Sequence, residues 1–280
     1  MWLRGASMSG TARPHRSKSG VPRREAGHAL WIFDFDNTLA PLEPAVDWAG
    51  SRSELQAWLA KQGVAETLFE EFPRGNLVLY EALRARLGAG DQATRAVLAR
   101  DSGPPATAAL GAILDGASAI IERHELAGVE AVAPAPGALE MLRALRVAGA
   151  KVAVVTSNSS RTVTAWLRAQ KLLEVAGLVD VIVGRDSGLA LKPSPAMVER
   201  ALADCGVAPA DAAFAGDSEA DFHAARAAAV RFYGVNAQAE GRDRLSALGA
   251  SPVFSSPSAM AVYFDLLGPL DAPIDQSRIG

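Results

Sequence analysis

Cysteine is all but missing from this chain, with Cys205 alone among 280 residues. No disulfide can close within it, and with no histidine pattern nearby Cys205 reads as a packed thiol of a reducing compartment rather than a nucleophile. Nowhere do eighteen apolar residues run together, so no membrane span is expected. The segment MWLRGASMSGTARPHRSKSGVPRRE lacks the apolar stretch of a secretory signal. Acid is scarce there too: six Lys/Arg stand against Glu25 in the first 27 residues, a charge of +5, which leaves the rest of the chain at −8 within a total of −3. An acidic body argues against a duplex-binding surface. The Arg/Ser-rich tail resembles an organelle transit peptide and fits a flexible extension equally well. It is taken as disordered and outside the fold, and the expected location is cytoplasmic. Internal repeats are absent, and β-branched runs hardly occur between Glu43 and Val132.

What is present centres on LWIFDFDNTL, Leu30 to Leu39. A short apolar run with a polar break after it is the pattern of a buried parallel strand, and its carboxyl end carries Asp34 and Asp36. Alternation predicts that both aspartates project from one side, while Phe33 and Phe35 face the other layer. Two carboxylates at one point repel by about 4 kcal/mol at ~4 Å and an effective dielectric of about 20, so a proton or a cation must join them. Oxygen-only ligands suit Mg²⁺. The plainer alternative is that Asp34, Asp36 and Thr38 shape a turn into a helix.

With 49% hydrophobic residues, the chain can bury a large core. From Glu43 to Val132 helical signals follow one another: Ser51 as a cap before Leu55, Trp58 and Leu59, then Leu77, Leu79, Tyr80, Leu83 and Leu87 up to Gly88. Further starts are expected at Asp91 and Pro104-Pro105. Trp58, Phe69 and Tyr80 are expected in the core of this helical insertion, and His124 is left unassigned. After Pro136-Gly137 strands and helices alternate: a helix from Ala138 to Val147, strand Lys151–Val155, a helix through Trp166, strand Val179–Val183, and a helix opened by Ser194 and Pro195. Strands at Ala212–Ala215, Val230–Val235 and Pro252–Phe254 complete the series. This pattern predicts an α/β fold, a doubly wound parallel sheet with an inserted all-helical cap. The expected division is a basic tail (1–27), an α/β core (28–42 and 133–270), a helical cap (43–132) and a C-terminal tail (271–280). Cap motion about the linkers near Leu42–Pro44 and Val132–Pro136 is also expected.

Four strand ends then carry polar groups: Asp34 and Asp36; Thr156 with Ser157, Asn158 and Ser159; Lys192; and Asp217 with Asp221. Right-handed crossovers bring such ends to one edge of the sheet. Thr156 and Ser159 could cap the following helix, or open a helix N-terminus that seats a phosphate. Lys192 could be a solvated surface lysine, or an ammonium that balances carboxylate charge. Asp221, three after Ser218, fits a capping box, which leaves Asp217 the stronger ligand candidate. Arg74, in the Phe72–Asn76 turn, could be a solvent-facing arginine beside a helix start, or a contact for an anionic or hydroxylated part of a ligand.

Four motifs in order, DFDNT, VVTSN, LKPSP and GDSEAD with a later FYGVN, resemble the haloacid dehalogenase superfamily, in the phosphatase branch with a helical cap that includes phosphoglycolate phosphatases and β-phosphoglucomutases. The resemblance implies that Asp34 is the nucleophile and Asp36 the general acid and base, with Asp34, Asp36 (through its backbone carbonyl) and Asp217 holding Mg²⁺. It implies Thr156, Ser157, Asn158 and Lys192 as phosphoryl contacts, Asp221 and Thr38 in support, and a small-molecule phosphate ester as substrate, with neither nucleic acid nor membrane as partner. Asn37 and Ala229 stand where many relatives have glycine; Asn tolerates the left-handed region. A phosphomutase and a non-catalytic phosphate-binding domain are the alternatives. Retention of Asp36 argues against dehalogenation.

Overall fold

The computed structural model describes residues 27–64, 67–73, 75–88, 106–171 and 178–266. Six parallel strands form one sheet in the order β3-β2-β1-β4-β5-β6: β1 Leu30–Phe33, β2 Lys151–Val155, β3 Val181–Val183, β4 Ala212–Gly216, β5 Arg231–Val235 and β6 Val253–Phe254. All four residues of β1 are fully buried, because the strand is central and both of its faces are covered. Leu30 and Ile32 enter one apolar cluster; Trp31, Phe33 and Phe35 enter the other, as alternation requires. The strand order reverses between β1 and β4, which opens a crevice beyond their carboxyl ends.

Between β1 and the second strand run four described helices of the insertion, α1 (Trp48–Lys61), α2 (Thr67–Glu71), α3 (Asn76–Gly88) and α4 (Ala106–Val129), followed by α5 (Ala138–Val147). After β2 come α6 (Ser160–Ala169), α7 (Ala196–Cys205), α8 (Glu219–Ala227), α9 (Ala239–Ala247) and α10 (Pro257–Tyr263). Helices α5, α6 and α10 cover the Trp31 face through Met141, Leu145, Trp166 and Met260; α7 and α8 cover the other through Met197, Ala201 and Phe222. Leu55, Leu59, Tyr80, Ile113 and Ile120 of the insertion belong to the same cluster as Leu30 and Ile32, so its apolar face is continuous with the layer beneath the sheet. Trp58 and Phe69 pack against that cluster, in line with expectation.

Local chemistry moves several boundaries. Helix α1 begins at Trp48 and is capped by Asp47, whose Oδ1 accepts the Gly50 N–H at 2.8 Å; Ser51 is instead buried in the first turn and accepts from Asn76 Nδ2 at 2.9 Å. Strand β3 starts two residues later than expected, because Asp180 accepts the Val152 N–H through its side chain, at 2.7 Å, in place of a ladder carbonyl. Pro195 occupies the N-cap of α7 rather than its first turn, with Ser194 Oγ accepting the Ala196 N–H at 3.3 Å. Gly137, at φ 78°, opens α5 where a Cβ would lie 2.6 Å from Ser258, so no larger residue fits. Asn37 adopts φ 58° as its type allows, and Ala229 is forced to φ 57°. The expected helix starts at Asp91 and Pro104-Pro105 and both chain tails lie outside the described residues. No helix among the described residues is long and apolar enough to cross a membrane.

Candidate active site

The crevice between β1 and β4 collects the charged groups. Asp34 follows β1 directly, and its N–H continues the ladder to Ala215 O at 2.9 Å. Asp217 follows β4, and Asp221 lies on α8. Oxygens of these three carboxylates lie within 4.8 Å of one another. Lys192, with its side chain only 4% exposed, places Nζ 2.6 Å from Asp34 Oδ1 and 2.6 Å from Asp221 Oδ1, and donates to Val155 O at 3.2 Å. The lysine is therefore no solvated surface group. Asp221 serves twice: its Oδ2 accepts from Ser218 N and Oγ, at 3.0 and 2.6 Å, in a capping box, while Oδ1 pairs with Lys192. Gly216 lets this happen, since a Cβ there would come within 2.6 Å of the Asp221 carboxyl. Asn236, in the FYGVN motif, donates to Asp217 O at 2.9 Å and holds that loop in place.

One ammonium among three carboxylates leaves a surplus of negative charge in a buried place. Burial pushes Asp34 up to about 7, with Asp221 adding to the rise and Lys192 opposing it. Burial, then the charges of Asp34 and Asp221, push Asp217 up to about 9. Lys192 stays charged above the usual lysine range, because Asp221 and Asp34 together outweigh its own burial. A hard divalent cation fits this donor set: carboxylate oxygens alone, with a negative excess that the protein's own lysine does not cancel.

Asp36 departs from the expected pairing. The regular strand ends at Phe33, and Phe35 O accepts N–H groups from Thr38, Leu39 and Ala40, so the alternation that would align Asp36 with Asp34 stops there. The Asp36 carboxylate lies outside the three-carboxylate cluster and accepts the Leu42 and Glu43 N–H groups at 2.8 and 3.0 Å. Burial raises it to about 6, with the Glu43 charge adding and the two N–H groups opposing. That value suits a group that gives and takes a proton near neutrality. Thr38 is fully buried in the same turn, its hydroxyl without a partner among the described residues.

The loop after β2 also differs from expectation. Ser159, not Thr156, caps α6, its Oγ accepting the Thr162 N–H at 3.0 Å. The helix N-terminus is no open phosphate seat: Glu125 of α4 takes the Ser159 N–H at 3.2 Å, and Asp186 takes the Ser160 N–H at 2.7 Å. The buried Thr156 hydroxyl donates to Asn158 Oδ1 at 3.0 Å, and Asn158 Nδ2 donates to Glu125 at 3.0 Å, so the Asn158 amide is already engaged. Ser157 remains half-buried with its carbonyl bonded to Arg185 at 2.8 Å. Ser157 is thus the loop group nearest to being available, the single hydroxyl proton of Thr156 being engaged with Asn158.

Beside Asp36 opens a cavity of about 550 Å³, walled by Glu43, Trp48, Arg52, Asn76 and Val78. Arg74, the sequence candidate for this region, lies outside the described residues. Among the described residues Arg52 is the cation that lines it. It donates through Nη2 to the Phe69 and Phe72 carbonyls, while its Nε and Nη1 have no partner among the described residues. The insertion also touches the Lys192 loop, Glu81 accepting the Leu191 N–H at 3.3 Å. His124 pairs with Glu54 at 3.0 Å, away from the carboxylates. Cys205 is buried, as expected, and burial raises its thiol. Glu125, Arg185, Arg52 and Asn236 escaped the sequence reading, and only Asn236 carried a signal, its place in FYGVN at a strand end.

A family model described as haloacid dehalogenase-like hydrolase matches residues 29–229. Phosphoglycolate phosphatase from Pseudomonas putida is 31% identical over 206 residues, 74% of this chain and 68% of that protein. Phosphoglycolate phosphatase from Caulobacter vibrioides is 32% identical over 208 residues, 72% of this chain and 76% of that protein. The fold is similar to that of CbbY from Rhodobacter sphaeroides, solved in complex with phosphate, with a TM-score of 0.53 at 23% identity over 85% of this chain and 99% of that one. On the match to its family model and the identity it shares with these relatives, the chain belongs to the haloacid dehalogenase-like hydrolases.

Proposed function

We propose that this hydrolase is a Mg²⁺-dependent phosphatase acting on a small phosphorylated metabolite, of the phosphoglycolate or sugar phosphate class, through an aspartyl-phosphate. The observation that carries this reading is the division of labour among the acids: Asp34 in contact with Lys192 and grouped with Asp217 and Asp221, Asp36 apart from them on the cavity wall. A carboxylate cannot approach a phosphate dianion unless positive charge cancels the repulsion. Lys192 supplies part of it. Asp34, Asp217 and the Asp36 carbonyl would hold Mg²⁺, which when bound supplies the remaining positive charge.

Asp34 attacks phosphorus as the bond to the ester oxygen breaks, and the leaving oxygen takes its proton from the Asp36 carboxylic acid. Asp36, now a carboxylate, removes a proton from water as that water attacks the phosphorus. The bond to Asp34 breaks, inorganic phosphate departs, and Asp36 is again protonated. Ser157 and Lys192, joined by the Thr156 hydroxyl once it turns from Asn158, hold the phosphoryl oxygens as charge spreads onto them. The helical insertion acts as the cap, and its cavity takes the leaving group. Its relatives named phosphoglycolate phosphatases favour a small hydroxy acid there, and Arg52 supplies a matching cation.

The test is phosphate release from a panel of metabolite monoesters, with Mg²⁺ or EDTA, for the wild type and Asp34→Asn. Metal-dependent release that Asp34→Asn abolishes supports the reading. Absence of release from folded wild type, or full activity in Asp34→Asn, refutes it.

A further inference from the structure

Glu125 and Arg185 form an ion pair at 2.8 Å in which neither side chain is exposed at all, and nothing in the chemistry above uses it. Glu125 comes from α4 of the insertion, Arg185 from the loop after β3, and what they enclose is the loop after β2. Glu125 Oε1 accepts from Asn158 Nδ2 at 3.0 Å and from Arg185 Nη1; Oε2 accepts from Ser159 N at 3.2 Å, Thr162 Oγ1 at 2.8 Å and Arg185 Nη2 at 3.4 Å. Arg185 donates in turn to Ser157 O at 2.8 Å, and its remaining N–H groups reach Ser118 Oγ and O on α4 at 3.1 and 3.3 Å. Asn158 relays the contact to the Thr156 hydroxyl at 3.0 Å. Every residue from Thr156 to Ser159 is therefore tied to the pair directly or through one further bond.

A buried ion pair is weak support for stability, because desolvation offsets its attraction; a pair with every hydrogen bond satisfied specifies geometry instead. We propose that Glu125 and Arg185 are positioning residues that hold the phosphoryl-binding loop in register, so that affinity for the phosphoryl group depends on a contact made by the insertion helix α4. The proposal rests on the phosphatase reading for its ligand, and on the hydrogen bonds alone for the clamp.

The experiment compares full-length wild type, Glu125→Gln and Arg161→Ala. Glu125→Gln keeps the side-chain shape and removes the charge. Arg161→Ala breaks an exposed pair between α6 and Glu122 of α4, Arg161 being 73% exposed, and leaves the loop untouched. Three quantities are read: KM and kcat on the best ester, the Kd of inorganic phosphate with Mg²⁺, and amide exchange of residues 156–160. In Glu125→Gln, KM and the phosphate Kd rise together about tenfold, kcat stays within about threefold, the Mg²⁺ half-saturation is unchanged, and exchange at 156–160 accelerates about tenfold or more. Arg161→Ala changes none of these. If Glu125→Gln fails to fold, Thr162→Val removes one donor without leaving a charge unpaired, and shifts the same quantities by a few-fold.

Unchanged phosphate affinity and unchanged exchange in folded Glu125→Gln, whatever its Tm, overturn the proposal and leave the phosphatase reading standing. A wild type that neither turns over esters nor binds phosphate, yet whose loop opens in Glu125→Gln, overturns the phosphatase reading and leaves the clamp standing.

Discussion

Removing divalent metal should make this protein less stable as the pH rises through the neutral range. In the metal-free protein Asp36, Asp34 and Asp217 take up their protons near 6, 7 and 9, whereas an unfolded aspartate titrates near 3.8. All three are raised, so the folded chain binds more protons than the unfolded one, and stability falls as pH rises until the folded value is passed. Above pH 7 the excess reduces mainly to the single proton on Asp217. One excess proton corresponds to about 1.4 kcal/mol per pH unit, so pH 7 to 8.5 removes at most about 2 kcal/mol, the half-buried position of Asp217 setting this as an upper limit. At about 2.1 cal/mol/K per residue, a chain of 280 residues unfolds with roughly 0.6 kcal/mol/K, which makes the loss about 3 °C in Tm. The assay is thermal unfolding at pH 7.0 and 8.5 in EDTA and in millimolar Mg²⁺. The slope should flatten in Mg²⁺, and calorimetry in two buffers of different ionisation heat at pH 7.5 should show about one proton released per metal bound. A metal-free Tm that is level or rises over this interval would refute the charge reasoning, as would an equal fall with Mg²⁺ present.

Asp36→Asn should lower kcat by about 10²- to 10⁴-fold while the Kd of inorganic phosphate stays within about threefold, since the residue lies outside the carboxylate cluster; equal loss of both would place it in phosphate binding. Arg52→Ala should raise KM about tenfold for esters with an anionic leaving group and leave that for p-nitrophenyl phosphate unchanged, and a uniform effect on both would remove Arg52 from substrate selection. Ala229→Gly should stabilise by about 0.5 to 1 kcal/mol, because relief of the left-handed strain at φ 57° exceeds the added chain entropy; a lower Tm in circular dichroism melts would show the strain to be negligible.

Much of the architecture was legible in the residues. Buried runs such as LWIF and KVAVV, each followed by polar groups, define strands of a parallel sheet, and alternating helices with short connections leave few ways to wind it. Asp34, Lys192, Asp217 and Asp221 could be gathered from three separate motifs because parallel strands in one sheet end at the same edge. Where local reasoning failed, a different local partner had taken the hydrogen bond on which a pattern depends. Asp180 shortens β3 in this way, and Asp47 rather than Ser51 caps α1. The turn at Phe35 interrupts the alternation that would have joined Asp36 to Asp34.

Sequence alone therefore settles the order of elements and the edge of the sheet at which the polar strand ends gather, since both follow from periodicity and chain connectivity. Tertiary structure decides the rest: that Asp36 turns toward the Leu42 and Glu43 N–H groups, that burial lifts the carboxyls toward and beyond neutrality, and that Glu125 closes the N-terminus of α6. Glu125 meets residues 33 to 60 positions away, and no spacing along the chain encodes a contact made only when a helix of the insertion packs against α6 and the loop after β3.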